Sequence, residues 1–515
     1  MSSQETIPVP SIKEKVDAVD ETNGSHIVDW DGPDDPQNPM NWPAKKRYLH
    51  AIFVSSIALV VNLGSTVFAP GAPLLMRELG VTSSIVGSLT VSIYVLGFAL
   101  GPLLVAPLSE LYGRLIVYQV TNIIFLAFTL GCALATNTGM FLAFRFIAGC
   151  AGSAPMTIGG GTIADVFPQE ERGGVMGMLA LGPIIGPVVG PVAGGFIAQE
   201  IGWRWTFWLI LILAGVVCVS AMIWMRETYA PILLARKTAR LQKETNNPEL
   251  RSKLDRGISA NTLLAQSVIR PLKLLVFSPI VLLISIYTAF AFGLTFLLYT
   301  TFPRVFNQQY GFKTGVAGLA YLGMGIGFFL ALVVFATTSD KILKAKAAKE
   351  KPAVEETENK DVESAETVTE GRALSQPQLK FKPEYRLIFM AYLTPVLPIG
   401  FFWYGWSADQ HVHWIVPILG TGLIGVGSLF IIMPAQTYLV DVFGSEAAAS
   451  ALAANTLLRS LFGSFLPMAG GPMYDALDLG WGNSVLGFIG LAFIPIPYFF
   501  YKYGDKIRQR WPVRL

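Results

Sequence analysis

Apolar residues fall in long unbroken runs separated by short polar punctuation, and the runs share one length. They cover about 48–70, 87–108, 116–136, 140–162, 174–198 and 205–225, then 278–301, 314–337, 385–406, 412–434, 447–470 and 483–502. Each is close to the roughly 20 residues a helix needs to cross a bilayer. The pattern predicts an all-α membrane protein of twelve transmembrane helices in two six-helix, pseudo-symmetric bundles. Composition agrees: charged residues make up only 14% of the 515, and the mean hydropathy is +0.51. A soluble chain of this length has no core large enough for so much apolar surface.

The polar stretches mark the boundaries. Residues 1–47 read as a disordered cytosolic tail, with Trp42 and Lys45–Arg47 placed to touch the membrane surface ahead of the first span. Residues 48–225 form the N-terminal bundle. Residues 226–277, with ten Lys or Arg, form a central loop in which Tyr229–Glu244 has the makings of an amphipathic surface helix. Residues 278–502 form the C-terminal bundle, interrupted by a hydrophilic segment at 340–384 that reads as disordered, and 503–515 form a short tail. No apolar segment precedes the first span, which is therefore expected to act as the targeting signal.

Basic clusters at Lys45–Arg47, Arg114, Arg172, Arg226–Lys273, Lys341–Lys351 and Lys502–Arg514 all fall on one side of this layout. The positive-inside rule puts that side, and both termini, in the cytosol. The net charge of +3 carries no nucleic-acid signature. Cys132, Cys150 and Cys218 all lie inside apolar runs and His is scarce, so neither a disulfide framework nor a metal site is expected. The expected partners are the lipid bilayer and small amphipathic substrates, bound by a monomer.

An internal repeat supports the six-plus-six division. Asp165-Val166-Phe167 with Glu170 recurs as Asp441-Val442-Phe443 with Glu446, and Pro191-x-Ala193-Gly194-Gly195 recurs as Pro467-x-Ala469-Gly470-Gly471, both at a step of 276. Gly202-Trp203 recurs as Gly480-Trp481, two residues out of register. Parallel repeats about an axis along the membrane normal place the binding site between the halves.

Span five is the oddest stretch. Gly182, Gly186, Gly190 and Gly194 form one face at i+4 spacing, with Pro183, Pro187 and Pro191 beside it. In water three prolines would break the helix; in lipid, neighbouring helices satisfy the freed carbonyls and the glycines admit close approach. The stripe is read as a bent seal, with Gly323 and Gly327 of span eight as its expected partner.

Two charges lie within spans, Arg145 in span four and Arg459 in span eleven, and each is expected to face an interior cavity or a partner. Arg145 is close enough to its span's outer end for snorkelling to the surface as well. Asn62, Tyr94, Tyr287, Tyr299, Trp403 and Asn455 complete the candidate cavity lining, one suited to bulky apolar or cationic-aromatic compounds. At the cytosolic edge, Glu110, Gly113 and Arg114 stand between spans two and three. They are placed to pair with each other, with Asp165 or with the N-terminal end of span eleven, and together with Asp165 and Asp441 they make up the expected gate latch.

These residues resemble the major facilitator superfamily. Pro107-Leu108-Ser109-Glu110-Leu111-Tyr112-Gly113-Arg114 is similar to its loop motif, with Ala106, Glu110 and Leu115 departing from the usual residues. Arg145 with Gly149 resembles its second motif, and Gly186–Gly195 with Gly182 its antiporter motif. The tail at 34–42, Trp203-Arg204-Trp205-x-Phe207-Trp208 and Arg226-Glu227-Thr228-Tyr229 resemble fungal twelve-span drug:proton antiporters, which include polyamine, azole and cycloheximide exporters and exporters of secondary metabolites. The resemblance implies efflux of amphipathic compounds at the plasma membrane, driven by the proton gradient and needing no bound cofactor. Nutrient uptake by symport is the alternative; the antiporter stripe and the lack of a Pro-Glu-Ser-Pro-Arg-type sequence after span six speak against it. A membrane enzyme or channel has less support, since His411 and His413 stand nearly alone beside Asp409 in a loop.

The layout makes a direct prediction. A single cysteine at Arg240 should react with an impermeant maleimide only after cells are permeabilised, and labelling in intact cells would contradict the layout.

Overall fold

A computed structural model describes residues 26–168, 170–255, 257, 260–361 and 382–510. Eleven helical runs are long and apolar enough to cross a bilayer: Ala44–Glu78, Ser84–Tyr112, Arg114–Ala133, Thr138–Val166, Arg172–Glu200, Arg204–Trp224, Pro279–Tyr310, Thr314–Ser339, Pro383–Asp409, Ile415–Phe443 and Ala447–Arg508. The last has 62 residues, about 93 Å if straight, against the ~30 Å of hydrocarbon, so it must double back. Asp478, in the left-handed region at φ +53°, marks the turn. Beyond it the chain retraces span nine: the Gly480 amide donates to Asp409 (3.3 Å), Asn483 abuts Gly405, and Arg508 pairs with Glu384 at the opposite end (3.4 Å). The run thus holds spans eleven and twelve, and the described residues make twelve crossings close to the predicted positions.

The end carrying Arg47, Arg114, Arg172, Arg226, Arg386 and Arg508 is termed the basic end, and the other the far end. The repeat reappears as equivalent contacts. A Cβ on Gly194 would lie 1.8 Å from the Val67 carbonyl of span one, and one on Gly470 would meet Leu297 and Thr301 of span seven. Gly195 backs onto Thr314 and Gly315 at the start of span eight, and Gly471 onto Ser84 at the start of span two. One step of 276 residues therefore exchanges span one for seven and span eight for two. The halves meet along two related seams, five against eight and two against eleven. The first is antiparallel: Val188 packs on Gly325, the Pro191 carbonyl on Gly318, and Gln199 Oε1 accepts from the Gly315 amide (3.0 Å). The second brings Val95 to Gly463. Both seams include far-end contacts.

The expected pairing of the span-five stripe is overturned. Gly182, Gly186, Gly190 and Gly194 all face span one, within the same half, where added Cβ atoms would fall 3.0, 2.7, 2.9 and 1.8 Å from Ala58, Asn62, Thr66 and Val67. Gly323 and Gly327 face span ten, 2.4 and 2.1 Å from the carbonyls of Ile418 and Gly422. The physical reason is helical phase: span eight meets the face rotated away from the stripe, which holds Val188, Pro191 and Gly195. The helix Arg172–Glu200 is continuous through all three prolines, as a bilayer permits where neighbours pack on the freed backbone.

The tail also departs from expectation. From residue 26 it is folded onto the central loop: Ile27–Val28 pairs in parallel with Arg251–Ser252, and Lys237 of the helix Ala230–Thr245 reaches the Asp29 carbonyl (2.9 Å) and the carboxylates of Asp31 (2.5 Å) and Asp35 (3.8 Å). Trp42 is buried against His50 under the Lys46 ammonium, not spread on the membrane. Composition suggested disorder because Asp, Asn and Pro are turn formers. Here they build turns that satisfy each other, Asp35 accepting from the amides of Asp31 and Gln37 and Asn41 donating to the Pro33 and Asp35 carbonyls. Likewise the helix beginning at Tyr321 runs on to Asp361, into the segment expected to be a loop. Residues 1–25 and 362–381 of the two predicted disordered segments, and 511–515 of the C-terminal tail, lie outside the described residues.

These contacts separate two kinds of glycine. Leu at Gly186 or Gly194 overpacks backbone within one half, a change that costs about 1–3 kcal/mol even where side chains can yield; the purified protein should unfold at a markedly lower temperature. Leu at Gly318, on the seam, should leave the unfolding temperature near wild type while making far-end cysteines more reactive. An unchanged unfolding temperature for Gly194→Leu would contradict the packing described.

Candidate functional site

At the basic end the chain builds an ion-pair cluster around a helix that lacks its own cap. Span three begins at Arg114 after Gly113, which has no side chain to cap the first amides. Glu227, just past the end of span six, does this instead, accepting from the amides of Arg114 (2.9 Å) and Leu115 (3.2 Å) and also from Thr228 and Tyr229. Gly113 is required twice over: its φ is +96°, and a Cβ would stand 2.3 Å from Glu227 Oε2. The Arg114 guanidinium meets Asp165 at the end of span four (3.4 Å), donates to Ser109 Oγ (2.6 Å) and lies over the Tyr229 ring. Asp165 accepts in addition from Thr228 Oγ1 (3.3 Å).

Of the pairings open to the latch residues, the structure brings Arg114 to Asp165, with Glu110 half-buried one turn earlier in span two. Asp441 does not join them; it pairs with Arg386 at the start of span nine (3.0 Å). That is the same arrangement in the other half, completed by Glu384 with Arg508 where the first half has Glu227 on span three. The Arg114–Asp165, Arg386–Asp441 and Glu384–Arg508 pairs each lie within one half. Sequence reasoning missed Glu227. The signal was present, since a helix opening on Gly-Arg without Ser, Thr, Asp or Asn needs a cap from elsewhere.

The two interior arginines differ. Arg145 is almost fully buried and donates to the carbonyls of Gly64 (2.9 Å) and Ser65 (3.2 Å), so it does not snorkel. Both carbonyls belong to the last turn of the helix Ala44–Thr66, which have no amide partners further along it. The Tyr94 ring packs 4.7 Å from the guanidinium. Span one's broken end therefore gains the cation that its dipole and orphan oxygens call for, offsetting the ~2.5–3.5 kcal/mol an arginine costs at mid-bilayer.

Arg459 has no such partners. Among the described residues no oxygen accepts from it; its Nε is shut off from solvent without a hydrogen bond, and its guanidinium lies over the Phe292 ring of span seven (4.8 Å). One turn away, Asn455 donates to Thr288 Oγ1 (2.7 Å) and Ser285 Oγ (3.4 Å), leaving its own Oδ1 unpaired.

The remaining candidates divide. Tyr94 donates to the Val61 carbonyl (3.1 Å) inside the first bundle. Tyr287 stacks on Phe493, and Tyr299 on Tyr321, whose hydroxyl donates to the Tyr299 carbonyl (2.6 Å). All three are buried in packed interiors and present no open surface in this conformation. Asn62, half-buried beside Gly186, is turned back onto the Ala58 carbonyl (2.8 Å). Trp403 is a correction: it is 45% exposed on the outside of span nine and anchored to the Val416 carbonyl (3.1 Å), the pose of a ring between lipid and helix. An apolar groove of about 680 Å³ also opens on the outer surface between spans eight and ten, lined by residues such as Leu319, Ile326, Trp414 and Leu419.

Comparison with known proteins bears on this geometry directly. The Major Facilitator Superfamily profile matches residues 54–467. The MFS transporter prlG of a fungal species (strain NRRL 50135) is 56% identical over 494 residues, covering 96% of this chain and 98% of its own. The Trichosetin biosynthesis cluster MFS transporter of Gibberella fujikuroi is 50% identical over 490 residues, covering 95% and 90%. Among solved structures, a D-xylose-proton symporter superposes with a TM-score of 0.62 over 88% of this chain and 97% of its own; at 16% identity the likeness is one of fold. With its twelve crossings, its repeat and its basic-end motif, the chain belongs to the major facilitator superfamily and is a multi-pass membrane transporter.

Proposed function

We propose that this transporter exports amphipathic small molecules, such as secondary metabolites or toxins, out of the cytosol in exchange for protons. It does so as a monomer in the plasma membrane, with the basic end and both termini cytosolic. The observation that carries the reading is the 50% identity, over nearly all of both chains, to a transporter named for a trichosetin biosynthesis cluster. A producer that makes a bioactive compound needs a route out for it. The positive-inside rule supports the orientation.

Alternating access fits the contacts. The Arg114–Asp165, Arg386–Asp441 and Glu384–Arg508 pairs stay inside their own halves, so the cytosolic ends part without breaking any of them. Breaking such pairs without replacement would be costly where water is excluded. At the far end, small residues on both seams let the halves close to backbone distance and separate again without leaving a buried charge. Proton exchange requires acids reachable from water, and Glu110, Asp165 and Asp441 at the cytosolic edge are the candidates.

Efflux is testable in a transporter-deficient yeast loaded with a panel of amphipathic compounds. Cells expressing the protein should retain several-fold less of at least one compound than control cells, and a protonophore should abolish the difference. Greater retention in expressing cells would indicate uptake and contradict the reading.

A further inference from the structure

Two guanidinium groups sit inside the membrane, and among the described residues only one of them has hydrogen-bond acceptors. Arg145 has two carbonyls and an aromatic face. Among the described residues Arg459 has the Phe292 face alone. It lies 12 residues into the run that begins at Ala447, roughly 18 Å along the helix and so near the middle of the ~30 Å core.

Its position matters as much as its lack of partners. One turn toward the far end, Gly463 meets Phe292 and, across the seam, Val95 of span two. Arg459 therefore lies just on the basic-end side of a point where the halves touch. By the antiparallel register of Ser84 with Gly471 and Val95 with Gly463, it stands level with the turn of span two that follows Val95. No carboxylate of those spans lies at that level. Span seven, Pro279–Tyr310, contains no Asp or Glu. Asp475 is bound to Arg304, 16 residues and about 24 Å further along span eleven, and Glu110 is at the basic end of span two.

We propose that Arg459 is the anion anchor of the substrate site, and that the compounds carried are amphipaths bearing one acidic group ionised at neutral pH. This deepens the export reading and rests on it. The guanidinium fork selects a carboxylate, or another anion that shares its charge between two oxygens, over a point charge. Phe292 provides a surface for the apolar body next to the charge, and the unpaired Asn455 Oδ1 one turn away accepts a ligand N–H or O–H. A neutral ligand leaves the buried charge uncompensated. A cationic one meets like charge in a low dielectric, so the expectation of cationic-aromatic substrates gives way here to anionic ones.

Three fluorescent probes with one apolar body test this: a dansyl-labelled undecyl chain ending in a carboxylate, a primary amide or a trimethylammonium. Each is titrated onto the purified full-length protein at neutral pH and loaded into expressing yeast for efflux. The carboxylate should bind about 10-fold more tightly than the amide, with the ammonium weakest. Arg459→Gln should bring carboxylate affinity to within about 2-fold of the amide, by a loss confined to the carboxylate, and Arg459→Lys should retain about a 3-fold preference. Unfolding temperatures of both variants near wild type are part of the expected result. Equal binding of the three probes, or equal loss of carboxylate and amide binding in Arg459→Gln, overturns the anion anchor. Selective carboxylate binding without efflux overturns the export reading and leaves the anchor standing, whereas no binding of any probe overturns both.

Discussion

Close approach of one helix backbone to another is the constraint on which this structure depends. In lipid no hydrophobic gain drives helices together, so packing rests on small residues that let backbones touch. Span five meets that condition on two faces at once. Its four-glycine stripe is pressed against span one, with Gly194 tight on the Val67 carbonyl, and joins the first half into one body. The face holding Val188, Pro191 and Gly195 meets the small residues of span eight in the other half. One helix thus serves as a fixed wall inward and a separable surface outward, and the repeat places span eleven in the corresponding role, with Gly470 toward span seven and Gly471 toward span two.

Polar satisfaction divides along the same line. Within each half, charges and broken helix ends answer one another: Arg145 caps span one, Glu227 caps span three, and Arg386 holds Asp441. At the basic end the folded N-terminal segment is tied to the central loop through Lys237. His50 adds a link from span one to the end of span six, its Nδ1 at the Lys46 carbonyl and its Nε2 accepting from the Arg226 amide (2.9 Å). Arg459 Nε and Asn455 Oδ1, both left without partners, sit beside the seam. Ion pairs and capped helix ends are concentrated within the halves, a distribution that suits a carrier.

Much of this was legible in the sequence. Span positions and the six-plus-six division follow from hydropathy and the 276-residue repeat, and Arg114 with Asp165 was one of the pairings open to the latch residues. What escaped was phase and company. The glycine stripe showed that span five packs closely but not against which neighbour, because i+4 spacing defines a face without saying what lies opposite. Trp403 read as cavity lining because an aromatic in a span has no sequence signature separating lipid from interior. The stretch at 26–42 read as disordered because its turn-forming residues are also those of disordered chains, and its anchor, Lys237, lies some two hundred residues away. Glu227 went unassigned because the uncapped start at Gly113-Arg114 shows that a cap is needed but not which distant residue supplies it.

The central claim is that two internally rigid halves move against each other along seams of small residues. Pulsed electron resonance distances on spin-labelled protein test it most directly, with native cysteines replaced and label pairs at Leu134 and Glu200 within one half and at Glu200 and Lys313 across the seam. The account predicts a single, unchanging distance for the first pair, and for the second a distance that lengthens or splits in two as pH and substrate are varied. A second pair that stays fixed under all conditions, or a first pair that varies as much as the second, would contradict it.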